Sequence, residues 1–428
     1  MKKLWFSLLM VCSACTNAPK ISSFFHDGNS FGMQSITQNA PPMTTVSMLL
    51  PLSGKHQQVG LSMQNGALMA LRKNEDSPVK LLFFDTKGTS EGAVEAYRWA
   101  NAQNTDIVLG PVFSAEVSAL SDSANGILSY TSDSTVLTEK KASMAVLISD
   151  QVEQMVRYAC EMGQLRLGAI GPESKVGEIV MNTLDKAVQK CPGMSLQKFA
   201  LYGEKDENMT PAVLKILPPI IDSKKKDLTP EEQEILATPM QERVEFDNLF
   251  VFEEGIRLSQ LMAILAFYDV TPDIIPIYTL ASVKTLKDKM LNGVYFMDLP
   301  EQTGKNFDRE YQQIFGSRPP QLASLSYDSV DWIAQKANVG VVHLTDLQLS
   351  DAFYGSDGLI RLNQDGTNNR AMRLVQKKNR SVIEVKPAPV EFESSEQPMD
   401  FWFTPTMQST DLTSEPPLMS PVSPEVFE

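Results

Sequence analysis

The chain has 428 residues, of which 43% are apolar, and a formal net charge of −14. This length allows two or three domains, and this apolar content excludes a chain that is disordered throughout. The acidic balance argues against a nucleic-acid partner, because neutralising phosphates requires a basic face. The three histidines are scattered without metal-ligand spacing, so we expect no metal and no other cofactor.

The first fifteen residues have the pattern of an export signal. A basic start and a short apolar core precede the small pair Ser13-Ala14 and then Cys15. The core is too short to span a bilayer. The segment resembles a bacterial lipoprotein processing box, although Cys12 stands where that box usually has Leu. The resemblance implies lipidation of Cys15 in a bacterial envelope, with the body in the periplasm. Because Thr16 rather than Asp follows Cys15, the resemblance favours a location in the outer membrane. The alternative is an ordinary cleaved signal.

Both ends of the remaining chain lack the pattern of a folded domain. Residues 16–44 are rich in Ser, Asn, Gln, Gly and Pro and have no hydrophobic period, so they predict a flexible tether. Residues 387–428 are rich in Pro, Ser, Glu and Thr and predict a disordered tail. The predicted folded body therefore runs from Thr45 to Lys386.

The stretch from Thr45 to Arg72 predicts a buried strand followed by an amphipathic helix. An apolar run ends at Pro51, the polar turn Ser53-Gly54 follows, and the apolar residues then recur at helical spacing. This is the first half of a βαβ unit, and its loop lies at the carboxyl end of the strand, where open α/β sheets bind ligands. The stretch contains neither a phosphate loop nor a nucleophile-turn motif.

The same alternation continues along the first unit. Strands are predicted at 79–84, 107–112 and 127–130, and helices at 90–102 and 115–124. The order implies a parallel, doubly wound sheet.

A second unit of the same kind begins near Ala145. Residues 222–245, which carry three consecutive lysines and then several glutamates, interrupt it and predict a solvated insertion that is helical from Pro230 onward. Residues 355–370 have two glycine turns beside short strands, as in a hairpin. The other predicted strands are 145–149, 167–170, 195–201, 248–252, 275–280, 293–299, 374–375 and 382–385, and the other predicted helices are 151–162, 176–190, 209–217, 256–268, 307–315 and 322–337.

Three short segments, LLPLSG, NGALMA and LGPVFSAEV, together resemble the type I periplasmic solute-binding proteins, the Leu/Ile/Val-receptor-like family. The resemblance covers about Thr45 to Lys386. It implies an α/β fold with two doubly wound parallel-sheet lobes joined by three hinge crossovers. On this template the first lobe comprises about 45–141 and 300–349, and the second about 145–299 and 355–386.

The stretch from Phe246 to Val270 narrows the resemblance to the penicillin-binding protein activator branch. The charged insertion before it has the same implication. These activators are lipoproteins that dock onto peptidoglycan synthases from the outer membrane. Gammaproteobacterial members carry a helical-repeat domain ahead of this fold, for which the segment between Cys15 and Thr45 offers no room.

The resemblance implies a non-catalytic envelope lipoprotein that regulates peptidoglycan synthesis, with a penicillin-binding protein as its partner. The alternative is a solute receptor of an ABC importer for amino acids or related small molecules. The one serine-lysine pattern, Ser223-x-x-Lys226, lies in the charged insertion without companion motifs, so we do not expect an enzyme.

Polar residues at the predicted strand ends are the candidate ligand contacts. Hydroxyls and helix-start N–H groups suit a ligand carboxylate, and a buried acid suits an ammonium. The alternative is that these residues are helix caps and loop polar groups, and Ser114 in particular suits an N-cap. The loop 171–174 lacks an aromatic side chain of the kind that amino-acid receptors often present there. The first lobe offers Ser53, Ser114, Tyr130, Thr131 and Ser132, and the second offers Glu253 and Glu254.

Two cysteines, Cys160 and Cys191, lie in the predicted body, where an exported compartment permits oxidation. Both follow or end helices at the N-terminal edge of the strand 167–170. A bridge between them would close a loop of about 30 residues. The alternative is two unpaired, buried thiols, if the two helices lie on opposite faces of the sheet.

Overall fold

The computed structural model describes residues 42–121, 126–205, 208–221, 225–300, 304–320 and 322–392. Cys15, the predicted signal, almost all of the predicted tether and the predicted tail from residue 393 onward lie outside these residues. Among the described helices, none combines the length and the apolar character that crossing a membrane requires.

The described elements alternate between strands and helices along most of the chain. The strands are β1 (Thr44–Leu50), β2 (Val79–Asp85), β3 (Ile107–Leu109), β4 (Ile127–Ser129), β5 (Lys141–Ser143), β6 (Arg166–Glu173), β7 (Ser195–Gly203), β8 (Asn248–Val251), β9 (Ile277–Thr279), β10 (Tyr295–Asp298), β11 (Phe353–Gly355), β12 (Gly358–Leu362), β13 (Asn368–Arg370), β14 (Arg373–Lys378) and β15 (Ser381–Lys386). The helices are α1 (Gln57–Lys73), α2 (Ser90–Asn101), α3 (Ser114–Ala119), α4 (Ile148–Glu161), α5 (Lys175–Gln189), α6 (Thr210–Ile216), α7 (Pro230–Ala237), α8 (Met240–Arg243), α9 (Gly255–Phe267), α10 (Gly304–Phe315), α11 (Ala323–Ala337) and α12 (Leu344–Gln348).

The first lobe is built on a five-stranded sheet in the order β2-β1-β3-β4-β5, in which all neighbouring strands are parallel. Successive residues of β1 face opposite sides of this sheet. Val46 and Met48 belong to the apolar core beneath α1 and α11, whereas Leu49 belongs to a second core that includes residues of α2. Helices therefore cover both faces, which explains why β1 is apolar on both faces from Met48 to Leu50.

The second lobe is built on a seven-stranded sheet in the order β15-β14-β10-β9-β8-β6-β7. The strands from β6 to β10 are parallel, and β14 and β15 are antiparallel additions at one edge. In β8, Leu249 and Val251 pack with α6 and α9, and Phe250 packs with α4 and α5 on the other face. The predicted α/β class is confirmed, and the second sheet is mixed rather than purely parallel.

The chain passes between the two sheets three times: between β5 and α4, between β10 and α10, and between β13 and β14. The third crossing lies later in the chain than predicted. Strands β11 to β13 form a separate small sheet, and their residues Phe353, Ile360 and Leu362 pack into the core of the first lobe. The assignment of residues 355–370 to the second lobe is therefore wrong. The physical reason is that their apolar side chains find partners on α11, where Trp332 stacks on Phe353 with ring centroids 5.1 Å apart.

Residues 145–149, predicted as a strand, form the first crossover and the start of α4 instead. The N–H of Ala145 donates to the Ser143 hydroxyl (3.0 Å), and its carbonyl accepts from the Asn368 side chain (2.9 Å). The strand that completes the first sheet is β5, immediately before. A short apolar run cannot by itself be distinguished from the beginning of a buried helix, and this explains the error.

The charged insertion contains α7 and α8, neither of which has a buried residue. Helix α7 begins at Pro230, where the helical pattern begins in the sequence. The Thr229 hydroxyl accepts from the N–H of Glu232 (3.1 Å), and the Glu232 carboxylate accepts from the N–H of Thr229 (2.8 Å). This capping box, rather than tertiary packing, specifies where the helix starts.

Candidate functional site

Asp85, at the end of β2, organises the loops that follow the strands of the first lobe. Its carboxylate accepts hydrogen bonds from the Ser53 hydroxyl (2.6 Å) and from the backbone N–H groups of Leu52 (2.9 Å), Ser53 (3.2 Å) and Lys87 (2.8 Å). Burial alone would raise the pKa of Asp85, but these hydrogen bonds outweigh it and hold the pKa below its ordinary value. Ser53, a predicted ligand contact, thus donates its hydroxyl proton within the loop.

Tyr130, Thr131 and Ser132 follow β4, and two of the three are buried in the lobe. Tyr130 is 2% exposed and packs in the apolar core, where burial raises the pKa of its phenol. The Thr131 hydroxyl, also buried, accepts from the N–H of Asp133 (3.1 Å). Ser132 is exposed, and its carbonyl accepts from the N–H of Ile148 (3.2 Å) at the start of α4. Of these three predicted contacts, only Ser132 presents its side chain to solvent.

Ser114, a predicted ligand contact, is the first residue of α3 and not its N-cap, so the alternative capping role does not apply to it. The N-cap is Phe113, whose backbone N–H donates to the Glu116 carboxylate (3.0 Å). Glu116 can do this because it lies three residues into the helix, from where its side chain reaches back to the helix start. The Phe113 ring contacts His56, with ring centroids 4.6 Å apart. Ser114 remains half-buried beside this aromatic pair.

Glu253, at the carboxyl end of β8, lies in a three-residue network. It is 7% exposed, and one carboxylate oxygen accepts from the Tyr202 hydroxyl (2.7 Å) and from the Arg257 Nε–H (3.1 Å). Burial and then the hydrogen bond to Glu253 raise the pKa of Tyr202. The other carboxylate oxygen accepts from the N–H of Glu254 (3.0 Å). The charge that was predicted to bind a ligand ammonium is therefore already paired with Arg257 of the helix that follows it.

Glu254, the second predicted carboxylate, is exposed and is the N-cap residue of α9, without a side-chain capping hydrogen bond. The two lobes thus offer different groups at their strand ends. The first offers the hydroxyls of Ser53 and Ser132, and the second offers an exposed carboxylate beside a buried ion pair. Among the described residues, no group of three His, Cys, Asp or Glu side chains is placed to hold a metal.

Three residues that organise these loops were not among the sequence candidates: Asp85, Tyr202 and Arg257. The signal for Arg257 is its position four residues after Glu253, the spacing of an ion pair on a helix. Asp85 directly follows an apolar strand, so its place at a strand end was visible. No local pattern pairs Tyr202 with Glu253, because they lie on β7 and after β8, on either side of β6 in the sheet.

Cys160 and Cys191 form a disulfide in the structure, with Cα atoms 6.2 Å apart. Cys160 lies in the last turn of α4, and Cys191 lies two residues after α5. Both cysteines and residues of both helices belong to one apolar cluster, so the two helices share a face of the second sheet. The pair lies away from the loops that carry the candidate ligand contacts.

Comparison with protein families matches residues 33–331 to the family described as "LppC putative lipoprotein". The penicillin-binding protein activator LpoA of Photobacterium profundum is 23% identical over 158 residues. This match covers 35% of the present chain and 25% of that relative, so the chain matches about a quarter of the length of the relative.

Solved structures with the same fold include an importer receptor and a regulator. The ABC transporter substrate-binding protein from Sphaerobacter thermophilus has a TM-score of 0.59 at 15% identity, covering 80% of this chain and 96% of that one. The C-domain of LpoA (YraM) from Haemophilus influenzae, a regulator of PBP1A, has a TM-score of 0.55 at 16% identity, covering 80% and 100%. At these identities, the likeness shows the type I periplasmic-binding-protein fold alone.

Proposed function

Because this chain belongs to the LppC lipoprotein family, we propose that it is a non-catalytic lipoprotein of the bacterial envelope that regulates a peptidoglycan synthase of the penicillin-binding protein class. In this proposal Cys15 carries the lipid, the outer membrane holds the lipid, and the body reaches into the periplasm on its tether. The similarity to LpoA proteins supports the choice of partner.

The observation that carries the proposal is the pairing of Glu253 with Arg257 and Tyr202. An amino-acid receptor needs an unpaired carboxylate for the ligand ammonium, and a carboxylate paired with a guanidinium has little charge left to offer. Tyr130 and Thr131, which would help to bind the ligand carboxylate, are buried in the first lobe. The fold of a receptor is thus present, but its buried strand-end carboxylate is already paired within the protein, which favours a protein-binding role.

The alternative, a receptor of an ABC importer, is supported by the fold likeness to substrate-binding proteins of such importers. A thermal-shift screen with free amino acids and their amides separates the two functions. A receptor at a ligand concentration of 100 times its dissociation constant should gain about 2.7 kcal/mol. The regulatory proposal expects no such gain from free amino acids.

The direct test is cross-linking of the full-length chain in the cells that produce it, followed by identification of the captured envelope proteins. We expect a penicillin-binding protein with glycan-polymerising activity among the specific partners, and a change in its polymerisation rate when the purified chain is added. A capture without any such synthase, together with stabilisation by an amino acid, would overturn the proposal. The variant Cys15→Ser is the matched control, because it keeps the body and removes the lipid site.

A further inference from the structure

A groove of ≈ 780 Å³ lies at the junction of the two lobes. Its walls come from the turn at residues 134–137 in the first lobe, from α4 and α5 in the second lobe, and from residues 363–369 around the turn between β12 and β13. None of the seven strand-end candidates lines it. Its volume falls within the range of about 300–1,000 Å³ that is usual for small-molecule sites.

The floor of the groove contains a buried hydrogen-bond acceptor without a donor. Asn368 is 2% exposed, and its side-chain NH₂ donates to the carbonyls of Ser143 (2.7 Å) and Ala145 (2.9 Å). These two bonds orient the amide, because only the nitrogen can donate. Its oxygen has no partner among the described residues. A buried acceptor in this condition costs free energy, which a ligand donor would recover.

Asp150, which is 7% exposed, also lines the groove. Its two oxygens accept from the Gln154 side chain (3.0 Å) and from the backbone N–H of Arg370 (3.0 Å). It forms no ion pair within the described part of the chain. Burial raises the pKa of Asp150 to about 6, which leaves the carboxylate mostly ionised at neutral pH. The groove therefore presents one acceptor without a donor and one carboxylate without an ion pair among the described residues, and the charges of Arg157 and Arg370 act on this carboxylate from nearby.

The rest of the lining is mixed, with a few apolar side chains, two lysines, several uncharged polar groups and the carboxylates of Glu153 and Asp365. Leu147 and Ile179 line the groove, and Lys186, two turns beyond Ile179, is exposed and has no ion-pair partner among the described residues. The other groove lysine, Lys190, is paired with Glu153 (2.6 Å). The helical rise from Ile179 to Lys186 is about 10 Å, which an extended tripeptide also spans.

We propose that this groove binds a short peptide by its free ends, with the ammonium at Asp150 and Asn368, an aliphatic side chain against Leu147 and Ile179, and the carboxylate at Lys186. A polyamine fits less well, because Lys186 would repel its second cation. An oligosaccharide also fits less well, because none of the described residues that line the groove is aromatic and a sugar would leave both charges unpaired.

A peptide in this groove would contact both lobes at once. It would therefore favour the lobe arrangement in which its contacts are complete, since a ligand shifts a conformational equilibrium by its difference in affinity for the two states. This site is separate from the strand-end loops, and the inference holds whether or not the chain regulates a synthase.

Isothermal titration of the purified full chain tests the proposal. The probes are trialanine and the tripeptides with leucine in place of the first or the second alanine, each also in N-acetylated form. We expect at least one free tripeptide to bind with a dissociation constant below about 1 mM, and acetylation to weaken it by about tenfold or more, because a charged hydrogen bond is lost. Chitotriose and spermidine serve as the oligosaccharide and polyamine probes, and neither should match the tripeptide.

Variants locate the binding. Lys186→Gln should weaken tripeptide binding several-fold, whereas Lys175→Gln on the same helix but outside the groove should not. Asp150→Asn should weaken it by about tenfold, and Glu253→Gln, at the strand-end loops, should leave it unchanged. If Asp150→Asn fails to fold, Lys186→Gln still tests the proposal, because Lys186 is exposed. No tripeptide binding, binding that is unaffected by Lys186→Gln and by acetylation, or stronger binding of chitotriose or spermidine would each overturn the proposal.

Discussion

At the scale of single residues, the two carboxylates that organise the strand-end loops are held by partners close by in the same lobe. Asp85 accepts from Ser53, Leu52 and Lys87, and Glu253 accepts from Tyr202 and Arg257. The protein itself thus supplies the hydrogen-bond donors for each of these carboxylates. The loops at the strand ends are therefore held in place by the protein's own hydrogen bonds.

Replacing Arg257 should show how much its ion pair with Glu253 contributes to stability. In Arg257→Met the carboxylate of Glu253 stays buried without its cation, so the free energy of unfolding should fall by about 1–3 kcal/mol. Urea denaturation measures the change. Arg98→Met removes an exposed arginine from α2 and should change the stability by less than about 0.5 kcal/mol. Equal effects of the two substitutions would contradict the role of the ion pair.

A second residue-scale prediction concerns Asp328, which is 1% exposed and accepts from the N–H groups of Ser356 (2.7 Å) and Asp357 (3.2 Å). Burial, and then the charge of Asp357, raise the pKa of Asp328 to about 7. The ordinary value in an unfolded chain is about 3.9. Protonation of Asp328 thus stabilises the folded state. This contribution to the free energy of unfolding is fully present below about pH 4 and is lost as the pH rises through about 7.

The free energy of unfolding should therefore fall as the pH rises from about 5 to about 8, and Asp328→Asn should flatten this dependence, because the substituted side chain cannot ionise. Thermal unfolding across this pH range measures the slope. Asp185→Asn, at an exposed position of α5, should leave the slope as it is in the natural chain. A slope that is the same in both variants would show that Asp328 does not titrate in this range.

At the scale of secondary-structure elements, pairs of helices from distant or successive segments close the layers of each lobe. Helices α1 and α11 approach closely at Gly66, where an added Cβ would lie 2.2 Å from the carbonyl oxygen of Ala323. The Ser326 hydroxyl donates to the carbonyl of Met63 across the same contact (2.7 Å). Helices α4 and α5 pack side by side in the second lobe, and the disulfide ties their ends at the edge remote from the strand-end loops.

Removing this disulfide should destabilise the second lobe. The cysteines are 31 positions apart, and a loop of this size corresponds to about 3–4 kcal/mol in the chain-entropy model. We expect the double variant Cys160→Ala, Cys191→Ala to lose about this much in urea denaturation relative to the oxidised natural chain. Alkylation of exported protein without reductant, followed by mass spectrometry, checks the bridge itself. Two alkylated cysteines in the body would contradict it.

At the scale of the whole molecule, β13, which leads into the third crossover, is hydrogen-bonded to the chain at the first crossover. Asn368, in β13, donates to the carbonyls of Ser143, at the end of β5, and of Ala145, in the first crossover, and the side chain of Arg370 donates to the carbonyl of Met144. A change in the angle between the lobes must therefore act on both crossovers together. The small sheet β11-β12-β13 places these side chains at the junction because it packs on the first lobe.

The predicted lipid anchor at Cys15 should attach the whole molecule to a membrane. Cys15→Ser should release the body from the membrane fraction or leave an uncleaved precursor, because serine cannot form the thioether that carries the lipid. Fractionation and metabolic labelling with a radioactive fatty acid measure the outcome. Cys12→Ser is the matched control and should remain labelled and attached. Persistent labelling and attachment of Cys15→Ser would show that another residue is the anchor.

The sequence by itself determined the α/β class, the family and the positions of most helices and strands. The apolar runs of β1 and β8 indicate strands that are buried on both faces, and the helical spacing in α1 indicates a helix that is buried on one face. These hydrophobic patterns are local properties of the chain. The loops that end the strands were also visible, since polar residues such as Ser53 and Glu253 directly follow apolar runs. Short segments such as 145–149 were ambiguous, because five residues contain too few periods to separate a strand from a helix start.

Only the tertiary structure decided which polar groups are satisfied and where the chain crosses between the lobes. The pairing of Glu253 with Tyr202 depends on β7, β6 and β8 lying side by side in that order, and strand order is not encoded in any local period. The placement of β11 to β13 on the first lobe depends on the contact of Phe353 with Trp332, and the groove at Asn368 depends on three segments that are far apart in the chain. Hydrophobicity is a property of each side chain by itself. Which polar groups form hydrogen bonds and ion pairs depends on pairs of residues that only the folded chain brings together.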